Sequence, residues 1–177
     1  MKMVTTISMK RMYQFQRRKT KMLVNLLRLN QRQLYKYIIN HIPPGFSVYN
    51  EKGKYLYVVH KEAKAFKLPL LTAHLDTVDE GSASVSHKDI VIQNSMIVLG
   101  SNKGNAHCLG GDDRCGVWLM LELLKSNPLD YKFLFTFDEE VGGLGGSAFV
   151  DSTSFNEDYF TCYVSLDRRS PRGELEA

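Results

Sequence analysis

The first apolar pattern along the chain is an amphipathic one. Within residues 22–42, apolar side chains recur at intervals of three, four and seven residues, which predicts a helix that Pro43 and Pro44 end. Two apolar-rich runs, residues 46–49 and 55–60, then flank a turn-forming stretch and predict a β-hairpin. The first 60 residues therefore predict a helix followed by a β-hairpin.

The remainder of the chain alternates between extended and helical patterns. The helix predicted near residue 120 has almost no polar face, which is typical of a buried helix. Strand, helix, strand, helix, strand is the order of a parallel sheet covered by helices, so we predict an α/β fold with a doubly wound, mostly parallel sheet. The strands are predicted at residues 70–75, 90–92, 95–99, 131–137 and 160–166, and the helices at residues 115–125 and 147–150.

Composition adds limits to this picture. The chain has 177 residues, of which 44% are hydrophobic and 24% charged, values that are typical of a globular domain. No apolar run approaches the roughly 20 residues needed to cross a bilayer, so no membrane segment is expected. The three cysteines are odd in number and form no CxxC pair, which favours a reducing, cytoplasmic location.

Charge is distributed unevenly along the chain. Residues 1–50 contain ten of the 23 Lys and Arg residues and none of the 19 Asp and Glu residues, so the rest of the chain is acidic overall. We interpret residues 1–21 as a basic leader that is solvated and partly disordered, and residues 22–177 as the folded domain. The alternatives for this leader are contact with nucleic acid, contact with anionic lipid, and a targeting role. Among these partners, we do not expect nucleic acid.

Acidic residues gather in four clusters, three of which lie at or just beyond the end of a predicted strand. Taken singly, each cluster is also typical of a solvated turn or a helix cap. In an open α/β sheet, however, ligands bind at the carboxyl ends of the strands, so the clusters are expected to converge. Converging carboxylates repel one another unless cations neutralise them, which predicts bound metal. A histidine with carboxylates suits zinc, with cobalt or manganese as alternatives. The clusters are His74 with Asp76, Asp112 with Asp113, residues 138–140, and Asp167.

A glycine-rich segment follows the third cluster. Its position after a strand is shared with dinucleotide-binding turns, but the acidic residues 138–140 before it would repel a pyrophosphate, and no GK[ST] follows. We interpret the glycines as allowing the backbone to pass close to the metal centre. They are Gly142, Gly143, Gly145 and Gly146.

With these four clusters in this order, residues 68–169 resemble the co-catalytic zinc aminopeptidases and carboxypeptidases, and among them the peptidase T-like (tripeptide aminopeptidase) branch. The resemblance implies a zinc-peptidase catalytic domain with two zinc ions. It also implies that His74 is a ligand of the first zinc ion. Asp76 is then the carboxylate that fixes the orientation of the His74 ring.

The same resemblance assigns roles to the other acidic residues. Asp112 corresponds to the carboxylate that bridges both metals, and the peptide bond between Asp112 and Asp113 is expected to be cis. Glu139 corresponds to the general base, Glu140 to a ligand of the second zinc ion, and Asp167 to a ligand of the first. A pair of metals of this kind activates a water molecule for hydrolysis of a short peptide or an N-acyl amino acid.

One expected ligand is missing. The family uses a further histidine near the C-terminus, and none of the five histidines follows Asp167. The segment expected to carry a lid or dimerisation domain and the last strands is missing too. We therefore interpret the chain as the N-terminal portion of a catalytic domain, or as a domain that holds its second metal weakly. His107 is an alternative ligand by its position, although a polar loop histidine is the simpler interpretation. The histidines are His41, His60, His74, His87 and His107.

Two functions from different classes follow from the sequence. The first is a zinc-dependent exopeptidase or related amidohydrolase. The second is an inactive metal-binding remnant that acts as an interaction module through its basic leader. Zinc content and turnover would separate them, because the enzyme requires about two metal ions and the remnant does not.

Overall fold

A computed structural model of the chain describes residues 9–81, 89–94, 96–101, 108–156 and 159–167. Within these residues, helices and strands follow one another in an α/β arrangement. The elements are α1 (Met9–Leu27), α2 (Gln31–His41), β1 (Phe46–Glu51), β2 (Tyr55–His60), β3 (Leu68–His74), β4 (Ile90–Gln93), β5 (Met96–Leu99), α3 (Gly111–Ser126), β6 (Lys132–Thr136), α4 (Leu144–Val150), α5 (Thr153–Asn156) and β7 (Phe160–Ser165).

The single helix predicted over residues 22–42 is wrong, because the structure has two helices there. Asn30 ends the continuity: its Oδ1 accepts a hydrogen bond from the Gln33 backbone N–H at 2.9 Å. In return, the Asn30 N–H donates to Gln33 Oε1 at 3.0 Å. This capping box starts α2 afresh. The apolar spacing continues through the break, as the buried Leu26 and Leu34 show, so periodicity alone did not detect it.

The first helix also crosses the boundary predicted at residue 21. Helix α1 begins at Met9, inside the segment interpreted as a basic leader, and continues to Leu27. Lys19, from the same segment, lies 2.9 Å from a carboxylate oxygen of Glu122 on α3. Residue 21 thus lies inside α1, whose last turns contribute the buried residues Val24, Leu26 and Leu27.

The central sheet has five strands in the order β1-β2-β6-β3-β7. Strand β3 pairs in parallel with both β6 and β7. Strand β2 pairs antiparallel with β1 and with β6, so four of the five strands point the same way and β2 alone is reversed. The predicted α/β fold with a mostly parallel sheet is confirmed, and the reversed strand arises from the predicted hairpin.

Apolar residues cover both faces of this sheet. On β2, Leu56 and Val58 belong to a cluster with residues of α1, α2 and α3, while the alternate residues Tyr55, Tyr57 and Val59 pack with α4. Helices on both faces explain why β2 and β6 are buried along almost their whole length. Among the described residues, no helix has the length and apolar content needed to cross a membrane.

The predicted strands at residues 90–92 and 95–99 are confirmed as a separate antiparallel hairpin of β4 and β5. The hairpin packs against α1, where Ile90 forms one buried apolar cluster with Val24 and Leu27. Arg28 adds a hydrogen bond from Nη2 to the Ile90 carbonyl oxygen at 2.8 Å. The hairpin is thus fixed to the helical layer outside the central sheet.

Candidate active site

Three parallel strands end at one edge of the sheet, and this edge brings the acidic clusters together. His74 is the last residue of β3 and pairs with Thr136, the last residue of β6. The backbone N–H of Leu75 continues the pairing by donating to the Thr136 carbonyl at 2.8 Å, and the Leu166 N–H donates to the Thr72 carbonyl at 3.0 Å. Residues 76, 138–140 and 167 follow directly, so each carboxylate leaves the sheet at the same end.

His74 lies at the centre of one group of possible metal ligands. Its side chain is buried, and Nε2 lies 2.8 Å from Oδ1 of Asp112. Asp167 completes the group, because one ligand atom from each of the three residues lies within 4.8 Å of the others. Asp112 is exposed and Asp167 is half-buried, so the group runs from the interior of the domain towards solvent.

A second group shares the same histidine. Ligand atoms of His74, Glu139 and Glu140 also lie within 4.8 Å of one another, and Glu139 is exposed. The loop that carries the glutamates begins with Asp138, whose backbone φ of 55° lies in the left-handed region. The structure thus brings all the predicted ligands and the predicted base to one end of the sheet, around a single imidazole.

Asp76 holds two parts of the site together. Its Oδ1 lies 3.4 Å from His74 Nδ1, and its carbonyl oxygen lies 3.1 Å from the same nitrogen. The carboxylate also accepts hydrogen bonds from the backbone N–H groups of Glu139 at 3.0 Å and Glu140 at 2.9 Å. Sequence reasoning predicted the contact with the imidazole and missed the contact with the glutamate loop. No local sequence pattern signals the second contact, because it joins residues more than 60 positions apart.

Asp113 starts the regular part of α3 and attaches it to β3. The peptide bond between Asp112 and Asp113 is cis, as the family resemblance implied. Asp113 Oδ1 accepts a hydrogen bond from the Gly116 N–H at 3.0 Å, three residues along, which is the geometry of a helix N-cap. Its Oδ2 accepts from the His74 N–H at 3.3 Å. The sequence offered a signal for this role, because Asp is one of the residues preferred at a helix N-cap, where its side chain accepts a hydrogen bond from a backbone N–H two or three residues along.

Burial and neighbouring charges change the pKa of several groups in the site. Burial alone would lower the pKa of His74, but hydrogen bonds with Asp76 and Asp112 and the charge of Asp113 outweigh it and raise the pKa to about 9. Burial raises the pKa of Asp113 to about 7. Burial and the charge of Asp112 raise the pKa of Glu140 above its ordinary value. The carboxylates around His74 therefore favour the positively charged form of the imidazole, and the same surroundings would favour a bound cation.

Of the four remaining histidines, His41 and His60 are among the described residues. His41 stacks on Tyr37, and its Nδ1 lies 2.7 Å from the Tyr37 carbonyl oxygen. His60 caps a short turn after β2, at the opposite end of the sheet. Neither belongs to the ligand groups. His107, considered above as an alternative ligand, and His87 lie outside the described residues.

The glycine-rich segment closes the loop that carries the glutamates. The N–H groups of Gly142 and Gly143 both donate to the Glu139 carbonyl, at 3.0 Å and 2.9 Å. Both glycines have positive φ values, 117° and 67°, which residues other than glycine rarely adopt. Gly145 is buried against the end of β6, where its N–H donates to the Phe137 carbonyl at 3.0 Å. The turn thus fixes the glutamates relative to the sheet.

Replacing Gly145 by alanine is expected to destabilise the domain. A Cβ there would collide with the backbone of Phe137 and with the carbonyl oxygen of Lys54, and neither can move without disturbing the sheet. We expect a loss of about 1–3 kcal/mol in the free energy of unfolding, measured by urea denaturation. Gly146→Ala in the same helix is the matched control. Its Cβ meets nothing within 4 Å, so this variant should be as stable as the native chain or slightly more so. Equal stability of the two variants would contradict the close approach.

The chain is similar to peptidases, in fold to one and in sequence to another. No protein-family model matches it. Its fold is similar to that of a tripeptidase from Staphylococcus aureus, with a TM-score of 0.65 and 19% identity over 87% of this chain. It is also 33% identical to a probable carboxypeptidase of Aspergillus niger over 88 residues, or 49% of this chain.

Both similarities concern part of a longer protein. The chain covers 44% of the tripeptidase chain and 20% of the carboxypeptidase. The tripeptidase likeness supports the α/β fold with its mostly parallel sheet. The chain thus spans less than half the length of either relative that it matches.

Proposed function

We propose that the chain is a metal-dependent hydrolase of the peptidase T-like kind, which cleaves a short peptide or an N-acyl amino acid with a water molecule activated by two zinc ions. The observation that carries the proposal is the convergence of ligand atoms around His74, where two groups of three residues each lie within 4.8 Å. The similarity to two peptidases supports peptide hydrolysis as the reaction class.

The donor set fits a divalent metal. One imidazole and several carboxylates are the ligands that zinc takes in hydrolytic sites, and cobalt and manganese accept the same set. His74, Asp112 and Asp167 would hold one ion, and Glu140 with Asp112 would hold the other. The orientation of His74 supports this assignment, because Nε2 faces Asp112 while Nδ1 faces Asp76. A metal-binding histidine is commonly held in this manner by a carboxylate at its other nitrogen.

Each residue then has a separate task in hydrolysis. Zinc held by these residues would lower the pKa of a water molecule and polarise the scissile carbonyl group. Glu139 is exposed, and its carboxylate takes the proton from the attacking water and passes it to the leaving amine. The Asp76 carboxylate accepts a hydrogen bond from the Glu139 N–H at 3.0 Å, and this bond fixes the backbone that carries the base. Neighbouring glutamates thus divide the work, since Glu140 binds metal while Glu139 moves protons.

The proposal includes a cytoplasmic location. Cys108, Cys115 and Cys162 form no disulfide bond among the described residues, which suits a reducing compartment. The substrate class rests on the two relatives, and the chain covers only part of each, so the activity is assigned to the catalytic domain as a whole.

The proposal is tested by metal content together with turnover. We expect about two zinc ions per chain after dialysis, hydrolysis within a panel of tripeptides and N-acyl amino acids, loss of activity with a chelator and recovery with zinc. Zinc should also raise the melting temperature, because a ligand at 100 times its Kd stabilises the native state by about 2.7 kcal/mol. One zinc ion or none, without turnover, would favour the alternative of an inactive metal-binding remnant that acts as an interaction module. The basic helix α1 is the feature that favours the alternative.

A further inference from the structure

The turn between α1 and α2 contacts the candidate site at two points. This turn is defined here as residues 28–30 together with Gln31, the first residue of α2, and it lies outside the region that resembles zinc peptidases. Its first contact is a hydrogen bond from Arg114 Nη2 to the Leu29 carbonyl oxygen at 3.0 Å. Its second is a hydrogen bond from Gln31 Nε2 to Asp138 Oδ1 at 3.1 Å. Arg114 lies two residues after Asp112, which is proposed to bind metal, and Asp138 directly precedes Glu139, the proposed base.

Arg114 joins the turn to the backbone beside the imidazole. Its side chain is only 1% exposed. While Nη2 donates to Leu29, Nη1 donates to the Asp76 carbonyl oxygen at 2.7 Å. That carbonyl also lies 3.1 Å from His74 Nδ1. A planar guanidinium fixes two acceptors at once in a rigid geometry, so Arg114 sets the position of Asp76 relative to the turn.

Gln31 makes the second contact, with the loop that carries Glu139 and Glu140. Its amide group reaches Asp138, the residue that precedes the two glutamates and has a left-handed backbone. The Asp76 carboxylate in turn accepts hydrogen bonds from the backbone N–H groups of Glu139 and Glu140. The turn therefore contacts both ends of one hydrogen-bonded unit, through Arg114 at Asp76 and through Gln31 at Asp138.

We infer that the α1–α2 turn is a positioning element for the candidate site, with Arg114 and Gln31 as its positioning residues. Through them, the N-terminal helices fix the Asp76 backbone and the loop of Glu139 and Glu140. The effect on metal binding rests on the proposed function, whereas the effect on the loop does not.

The Gln31 contact is tested by Gln31→Glu in the full chain without metal. The change adds an acidic residue to the first turn of α2, which tends to stabilise the helix, and it replaces the donor that faces Asp138 by a carboxylate. Hydrogen exchange at the Glu139 and Glu140 amides, resolved by NMR, should become about tenfold faster, the ratio expected for one lost hydrogen bond. Gln33→Glu is the matched control. It makes the same chemical change two residues along, where the side chain faces Asn30, and should leave these amides unchanged.

The Arg114 contacts are tested by zinc affinity and by the same two amides. Arg114→Met should accelerate exchange at Glu139 and Glu140 and lower zinc affinity by ten- to a hundredfold, as expected for loss of a residue that orients a metal ligand. Arg114→Lys should recover only part of the affinity, because an ammonium group is not a planar fork. Lys132→Met is the control for loss of a buried cation. Lys132 donates to the Lys64 and Tyr159 carbonyls at the other end of the sheet, and its replacement should lower stability without changing zinc affinity.

The results separate the inference from the proposed function. Faster exchange at Glu139 and Glu140 in Gln31→Glu and Arg114→Met, but not in Gln33→Glu, supports the positioning element even if the native chain binds no zinc. In that case the proposed function fails alone. Exchange at these amides that stays at the native rate, or that rises only as much as in the Lys132→Met control, would overturn the inference. Full recovery of affinity by Arg114→Lys would overturn the role of the two-carbonyl contact.

Discussion

Replacing Glu139 by glutamine is expected to remove nearly all hydrolysis while leaving the zinc content of the chain unchanged. Glutamine keeps the size of the side chain and the backbone N–H that donates to Asp76, but its amide cannot take a proton from water. General acid–base catalysis contributes about 10²- to 10⁴-fold to a rate, so kcat should fall by that factor. Steady-state kinetics together with metal analysis of the same sample would measure both quantities.

The control for this variant is Glu62→Gln. Glu62 is an exposed glutamate in the short turn after β2, at the end of the sheet opposite the site, so its replacement should change neither turnover nor zinc content. Two results would contradict the assignment of Glu139. Turnover at the native rate would exclude it as the base, and a loss of zinc would make it a ligand instead.

Replacing His74 by alanine is expected to remove metal binding altogether. His74 belongs to both groups of possible ligands, so no group of three described residues keeps its members after the change. Loss of a residue that merely orients a ligand already costs ten- to a hundredfold in affinity, and loss of the shared ligand should exceed about a hundredfold. Competition with a chromophoric chelator measures this affinity directly, and hydrolysis should disappear in parallel.

His41→Ala is the matched control for the His74 variant. His41 is exposed on α2, where its ring stacks on Tyr37, so its loss removes an imidazole without touching the site. We expect zinc affinity and turnover to remain at their native values. Retention of native zinc affinity by His74→Ala would show that the metal, if bound, sits elsewhere on the chain.

Much of the fold follows from local sequence patterns. The hairpin of β1 and β2 and the alternation from β3 to β7 were predictable because strand and helix periodicities differ and because turn-forming residues separate them. The convergence of acids was predictable for a topological reason, since parallel strands end at one edge. Where periodicity was unbroken, prediction failed: the apolar spacing runs through Asn30, and only the cap formed with Gln33 separates α1 from α2.

The supporting contacts of the site could not be predicted. Gln31 and Asp138 are 107 positions apart, and Arg114 is 38 positions from Asp76 and 85 from Leu29. No pattern within a helix or strand encodes such pairs, because they depend on how the helical layer sits on the sheet. Ligand types and their order were visible in the sequence, whereas the groups that hold those ligands in place appear only in three dimensions.

The strand order also determines when the site can form as the chain folds. Leu70 of β3 pairs with Tyr163 of β7, although three strands (β4, β5 and β6) and three helices (α3, α4 and α5) of the described chain lie between them in sequence. Closing such long loops is slow compared with forming local hairpins and helices. His74 and Asp112 are in the chain long before Asp167, but the three meet only after β7 docks on β3. Acquisition of metal by the His74, Asp112 and Asp167 group would therefore report the docking of β7 on β3, and a nascent chain ending before β7 would lack that group.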